Sequence, residues 1–298
     1  MIDVCLLGTG GMMPLPNRFL TSLYVRTNGR ALLVDCGEGT QTAIRAANLR
    51  FKPIQTLLLT HYHADHVSGL PGLLLTLGNE DRRMPLDMYG PPGLARVVNA
   101  LSVIVPELPY GINCHEISGK AEFEASGLQV TAFEADHGMP CLSYAFNLPR
   151  PGKFDVEKAR AAGVPLQLWG RLQNGESVQG FTPAQVLGAP RRGLRLVYST
   201  DTRPLPEAIT QGQEADLMIL EGMFGGSEKD ERALLTHHST MNESARLARE
   251  AHAKRLWFTH FSPANPHPEE YAQEVEEVFP GAVISTDGQK LTLRFENE

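Results

Sequence analysis

Short apolar runs separated by turn residues dominate the beginning of this chain. Val4-Cys5-Leu6-Leu7, Ser22-Leu23-Tyr24-Val25 and Ala31-Leu32-Leu33-Val34 each have strand length. Gly8-Thr9-Gly10-Gly11 follows the first run, and Asn28-Gly29, a strong two-residue hairpin signal, follows the second. Asp35-Cys36-Gly37-Glu38-Gly39-Thr40 ends the third run and opens a helix expected to reach about Asn48. Residues 56–60 form a continuously apolar strand running straight into His61. Residues 67–77 have a helical pattern, although Gly69, Pro71 and Gly72 crowd the first turns.

Further strands are expected over 86–89, 128–133, 143–147, 194–199, 217–221, 256–259 and 290–295, and helices over 93–103, 242–253 and 268–278. Hairpin-like meanders are mixed with crossovers. That favours mixed sheets covered by helices over an all-parallel, doubly wound sheet. Residues 149–192 differ: Pro149, Pro151, Gly152, Gly163, Pro165, Gly170, Gly175, Gly180, Pro183, Gly188 and Pro190 break the pattern. This stretch reads as an insertion or arm projecting between two core strands.

Composition narrows the setting. An apolar content of 42% with ordinary Gly and Pro is that of a soluble globular chain, and no apolar run approaches the ~20 residues that span a bilayer. Met1-Ile2-Asp3-Val4 lacks a positive segment and a small-residue cleavage site, so no secretory signal is expected. Cys5, Cys36, Cys114 and Cys141 are widely spaced and read as buried thiols of a reducing, cytoplasmic setting. The net charge of −7 argues against broad nonspecific affinity for nucleic acid but leaves room for a local basic patch.

The chemistry begins at His61-Tyr62-His63-Ala64-Asp65-His66. In extended chain, positions i and i+2 point the same way, so His61 and His63 can reach one ion. As the chain turns into the following helix, Asp65 and His66 can reach a second position. Neutral imidazoles with a carboxylate suit Zn²⁺. Six positions cannot close two coordination spheres. His137, Asp201 and His260 also follow strand-like segments, where convergent ligands belong.

The HxHxDH motif is the signature of the metallo-β-lactamase superfamily. The chain resembles its ribonuclease Z branch, endonucleases that mature transfer-RNA 3′ ends, over "LGTGGMMPLPNR", "LLVDCGEGTQ", "THYHADHVSGLPGLL", "ADHGMPCLSYAF", "YSTDTRP", "HHSTMNESARLA" and "FTHFSP". The resemblance implies a four-layer αββα sandwich of two mixed sheets with helices outside, in one domain over 1–298 with the arm at about 150–192. It implies two zinc ions, or Mn or Fe: one on His61, His63 and His137, the other on Asp65, His66 and His260, with Asp201 bridging. Two such ions would lower the pKa of a water held between them to about 7 and supply hydroxide for in-line attack on phosphorus. Asp65 is then the expected proton acceptor. Glu221 and His238 match the family's pair that protonates the leaving 3′-oxygen, with His237 an alternative to His238. Thr240 and Glu243 have capping-box spacing.

Two departures bear on substrate. The chain reads Leu220-Glu221-Gly222-Met223 where the family usually has His-Glu-Ala-Thr. It reads His260-Phe261-Ser262-Pro263-Ala264-Asn265 where the family commonly has His-Phe-Ser-x-Arg-Tyr. The arm corresponds to a basic insertion that in the family grips transfer RNA across a homodimer. Arg150, Lys153, Lys158, Arg160, Arg171, Arg191, Arg192 and Arg195 lie in or near it against Asp155, Glu157 and Glu176. The expected partners are precursor transfer RNA and a second copy of the chain, with no membrane. The alternative is a small-molecule hydrolase of the same superfamily, acting on a lactone, ester, sulfate ester or cyclic phosphodiester.

Overall fold

The computed structural model describes residues 1–296. Its first sheet contains β1 (Ile2–Gly8), β2 (Ser22–Thr27), β3 (Arg30–Val34), β4 (Ile54–Leu58), β5 (Leu86–Gly90) and β6 (Ile112–Glu116). The second contains β7 (Ala121–Ala125), β8 (Leu128–Glu134), β9 (Leu142–Arg150), β10 (Arg191–Ser199), β11 (Leu217–Glu221), β12 (Leu256–Thr259) and β13 (Val283–Ile284). The last strand, β14 (Lys290–Leu293), returns to the first sheet beside β1. Strand orders are β14-β1-β2-β3-β4-β5-β6 and β13-β12-β11-β10-β9-β8-β7. Each sheet is antiparallel up to one strand, β3 in the first and β10 in the second, and parallel beyond it.

Both faces of each sheet are covered, which explains the unbroken apolar runs. Along β3, Leu32 and Val34 face the layer between the sheets, while Ala31 and Leu33 face the helices. The inter-sheet layer joins Leu6, Leu23, Tyr144, Tyr198 and Trp257. Outside the first sheet lie α1 (Thr40–Ala46), α2 (Ala64–Val67), α3 (Leu70–Asn79) and α4 (Leu94–Leu101). The expected four-layer sandwich of mixed sheets is what the chain forms.

Between β9 and β10, the Gly- and Pro-rich stretch contains α5 (Val156–Ala161) and α6 (Trp169–Gln173). It has a small apolar cluster of its own, built from Ala159, Val164, Leu168, Leu172, Val178 and Val186. Outside the second sheet lie α7 (Pro206–Gly212), α8 (Asp230–Thr236), α9 (Met241–Glu250) and α10 (Ala272–Val278). Among the described residues, no helix is long and apolar enough to cross a membrane.

The helix expected over 67–77 forms as α3 over 70–79, preceded by the separate short α2 that ends at Val67, with Gly69 between them. A Cβ on Gly69 would lie 2.2 Å from the Gly37 carbonyl oxygen, and one on Gly37 would lie 2.4 Å from the Asp65 oxygen. Two glycines therefore let the segment after β3 touch the turn that carries Asp65 and His66. The strands β6 and β7 lie beyond the expected set. Their polar, half-exposed sequences, Ile-Asn-Cys-His-Glu and Ala-Glu-Phe-Glu-Ala, sit at sheet edges.

Candidate active site

Strand ends converge at one rim of the sandwich. Asp35 follows β3, His61 follows β4, Asp201 follows β10, Glu221 closes β11 and His260 follows β12. Asp35, Asp201 and His260 have φ of 60°, 54° and 59°. Left-handed backbone is costly for non-glycine residues and persists where the surroundings enforce it. Here it turns each side chain off its strand into the rim.

The rim gathers all seven residues expected as ligands. His61 Nε2 lies 2.9 Å from His63 Nδ1, and His137 Nε2 lies 3.3 Å from that same atom. On the other side, His66 Nε2 is 3.2 Å from His260 Nε2, which is 3.3 Å from Asp65 Oδ2. Asp201 stands between: Oδ1 is 3.2 Å from His260 Nε2 and 4.0 Å from His61 Nε2, and Oδ2 is 3.3 Å from His66 Nε2.

The donor set fits cations. His66 Nδ1 lies 2.8 Å from Asp35 Oδ2, which fixes the ring with its Nε2 toward His260. Burial opposes charge on this ring, but Asp201 and Asp35 raise its pKa well above the ordinary imidazole value. Asp201 Oδ2 is buried and receives no hydrogen bond. Lone pairs facing one another in a dry site are costly unless a positive charge sits among them. Burial lowers the pKa of His61 well below the usual imidazole value and lowers that of His137, keeping both neutral as metal ligands require. Burial opposes charge on Asp201, but its surroundings, the His260 and His66 imidazoles foremost, hold its pKa well below the carboxylate range. Metal binding at this rim follows from these donors and from the superfamily described below.

Glu221 and His238 form a second unit at the edge of the cluster. His238 Nδ1 is 2.9 Å from Glu221 Oε2. Glu221 Oε1 accepts from the amides of Thr202 and Ser239 at 2.8 and 3.0 Å, which locks the carboxylate. Burial disfavours the imidazolium, but the Glu221 carboxylate overrides it and raises His238 to about 9. His237 is separate: its ring meets exposed Asp136 at 3.1 Å, while its carbonyl accepts from His137 Nδ1 at 3.3 Å. Thr240 and Glu243 form the expected capping box of α9, and Glu243 also pairs with Arg203.

Three supporting residues escaped the sequence reading. Asp35 orients His66 and also accepts from the Thr60 amide at 2.8 Å. Its signal was available, since it too is a carboxylate directly after an apolar strand. The Met12 amide donates to Asp65 Oδ2 at 2.7 Å, a backbone contact no side-chain pattern announces. Asp287 accepts from the Thr9 and Phe19 amides at 2.9 and 2.5 Å, pinning both ends of the loop that presents Met12. His260 lies flat on that loop, where a Cβ on Gly11 would come 2.6 Å from its Cε1.

The arm's three acids are engaged within it. Asp155 caps α5, Glu157 pairs with Arg160, and Glu176 pairs with Arg171. It springs from the Arg150 and Arg191 ends of β9 and β10, opposite the ends that approach the rim.

A beta-lactamase superfamily domain model matches residues 30–261. Ribonuclease Z of Lachnoclostridium phytofermentans is 48% identical over 301 residues, covering 99% of each chain. Ribonuclease Z of Lachnospira eligens is 46% identical over 303 residues, covering 100% of each. The crystal structure of human tRNase Z, short form, superposes with a TM-score of 0.72 at 23% identity, over 98% of this chain and 100% of that one. A diphosphatase from the PhnP family reaches 0.67 at 18% identity over 100% of both chains, so the fold alone accommodates more than one substrate. At full-length identities of this size, the chain belongs to the ribonuclease Z family of the beta-lactamase superfamily.

Proposed function

We propose that this protein is a metal-dependent phosphodiesterase that removes 3′ trailers from precursor transfer RNA. Two ions, zinc by the character of the donors, would be held by His61, His63 and His137 and by Asp65, His66 and His260, with Asp201 available to both. When bound, such ions supply Lewis-acid activation of a water and offset charge on the phosphoryl oxygens. Asp65, fixed by the Met12 amide, accepts the proton of the attacking water. Glu221 holds the His238 imidazole in position and favours its protonated form, so that His238 donates to the leaving 3′-oxygen. The Glu221–His238 pair carries this reading. A superfamily site needs only ligands to activate water, whereas a poor leaving group such as a ribose 3′-oxygen needs an acid.

The arm reaches away from the rim of its own chain. We place it, in a homodimer, against the transfer RNA held by the other copy, where its basic side chains meet phosphates. The reading is tested with purified, zinc-loaded protein on a precursor transcript. Cleavage after the discriminator base, lost in His63→Ala, is the expected result. An intact precursor together with turnover of small esters or phosphodiesters would overturn it in favour of a small-molecule hydrolase.

A further inference from the structure

A cavity of about 400 Å³ opens beside the Glu221–His238 unit, and none of the ligand or proton-transfer roles uses it. Phe224, which packs edge-on to the His238 ring at 6.3 Å, forms its near wall, and Ser262, two residues past His260, lies in its lining. Tyr271 forms a second aromatic wall. A Cβ on Gly225 would fall 2.0 Å from the Tyr271 ring, so glycine alone lets that ring lie against the backbone there.

The polar lining divides, with donors at Lys229, Arg232 and Asn265 and carboxylates around Tyr271, whose hydroxyl donates to Glu228 at 3.2 Å. Lys229 and Arg232 line it, and among the described residues neither is in an ion pair; the Arg232 guanidinium sits 5.9 Å over the Phe224 ring. The amide nitrogen Nδ2 of Asn265 is buried there without an acceptor. His267 is engaged by Glu269 at 3.0 Å, and Glu270 adds a carboxylate at the lining. Flat aromatic faces, an unpaired guanidinium and an unused amide donor are the elements that recognise an unstacked nucleotide.

We propose that this cavity binds the nucleotide on the 5′ side of the scissile bond. Its base lies among Phe224 and Tyr271 with an acceptor on its edge at Asn265 Nδ2, and its 5′-phosphate meets Arg232 and Lys229. The side is assigned by His238. That residue serves the leaving 3′-oxygen, which belongs to this nucleotide, and Phe224 packs against its ring. The inference rests on the endonuclease reading for the identity of the polymer, while the pocket's chemistry stands on its own residues.

Arg232→Ala and Asn265→Leu test it in the full-length, zinc-loaded protein, with metal content and melting temperature checked first. Three readouts are taken: precursor cleavage, hydrolysis of bis(4-nitrophenyl) phosphate, and inhibition of that hydrolysis by adenosine 5′-monophosphate. Arg232→Ala is expected to raise KM for precursor about tenfold with a smaller change in kcat, and to weaken inhibition by the nucleotide by a similar factor. Asn265→Leu shifts both in the same direction by less. The loss on precursor exceeds that on the small diester. Unchanged nucleotide inhibition in both variants overturns the pocket. If wild-type protein leaves precursor intact while nucleotide inhibition still depends on Arg232, the pocket stands and the endonuclease reading falls.

Discussion

The two halves of the ligand cluster, three histidines in one and two histidines with an aspartate in the other, differ in burial. Asp65, His66 and His260 are buried, and two of them have dedicated partners in the Met12 amide and Asp35. His61, His63 and His137 lie nearer solvent: His63 is exposed and His137 half-buried, and only His61 is fully enclosed. His137 leans on a carbonyl at 3.3 Å, and the hydrogen bonds of His63 run to neighbouring histidines. A ligand whose second nitrogen is fixed stays oriented without its ion, whereas one without such a partner must be ordered by it. By that measure the halves are close, since His61 Nδ1 has the Thr60 hydroxyl at 3.1 Å and His260 Nδ1 is buried without a partner. It is burial that separates them, with exposed His63 the ligand most dependent on its ion.

Substitutions can break that contrast. Asp65→Asn is expected to lower kcat on precursor by about 10²–10⁴-fold, because it removes the proton acceptor as well as a ligand, and excess metal will not restore it. His63→Ala also loses activity but regains part of it as zinc is raised, by mass action at the exposed half. If zinc rescues Asp65→Asn and not His63→Ala, the asymmetry is wrong. His238→Ala follows, with kcat down about 10²-fold, while His237→Ala stays near wild type because its contribution to His137 is a backbone carbonyl.

His238 also has a pH signature. Its folded value, about 9, lies above the ordinary imidazole value, so the stabilisation from its pairing with Glu221 is complete below about 6.5 and is lost as pH rises through about 9. The alkaline limb of the kcat profile is expected to move toward lower pH in Glu221→Gln. A limb that stays in place removes the pair from proton transfer. Asp35→Asn should weaken metal affinity by about 10–100-fold in a chelator titration, acting on the buried half through His66. The smallest effect on the rim comes from Leu172→Ala in the arm. It costs that unit about 2–5 kcal/mol, read as local hydrogen-exchange protection, with bound metal unchanged.

The sequence carried the strand ends and their chemistry because apolar runs stopping at His, Asp or Glu are local features. Residues 56–60 before His61 and 256–259 before His260 are of this kind. Supports that cross the chain were not legible: Asp287 sits in a polar turn like many others, and the Met12 contact is made by backbone. Helix α5 and its neighbours were hidden for a different reason. Eleven Gly and Pro residues between 149 and 190 dilute the apolar periodicity, although Leu168 and Leu172, four apart, share the same cluster. The edge strands β6 and β7 do alternate, with Ile112 and Cys114, and then Ala121, Phe123 and Ala125, turned to the core. The alternation is short and its apolar side chains are few, so it does not stand out in the sequence.

Asp287 has a further consequence, for the order in which the molecule is made. The loop that offers the Met12 amide to Asp65 is tied down at Thr9 and Phe19 by a carboxylate 278 and 268 residues later. On the ribosome, His61 to His260 emerge before that tie exists. A chain arrested before residue 287 has every proposed ligand but no anchor for the loop under His260. The loop beneath His260 is thus among the last parts of the site to be secured as the chain is made.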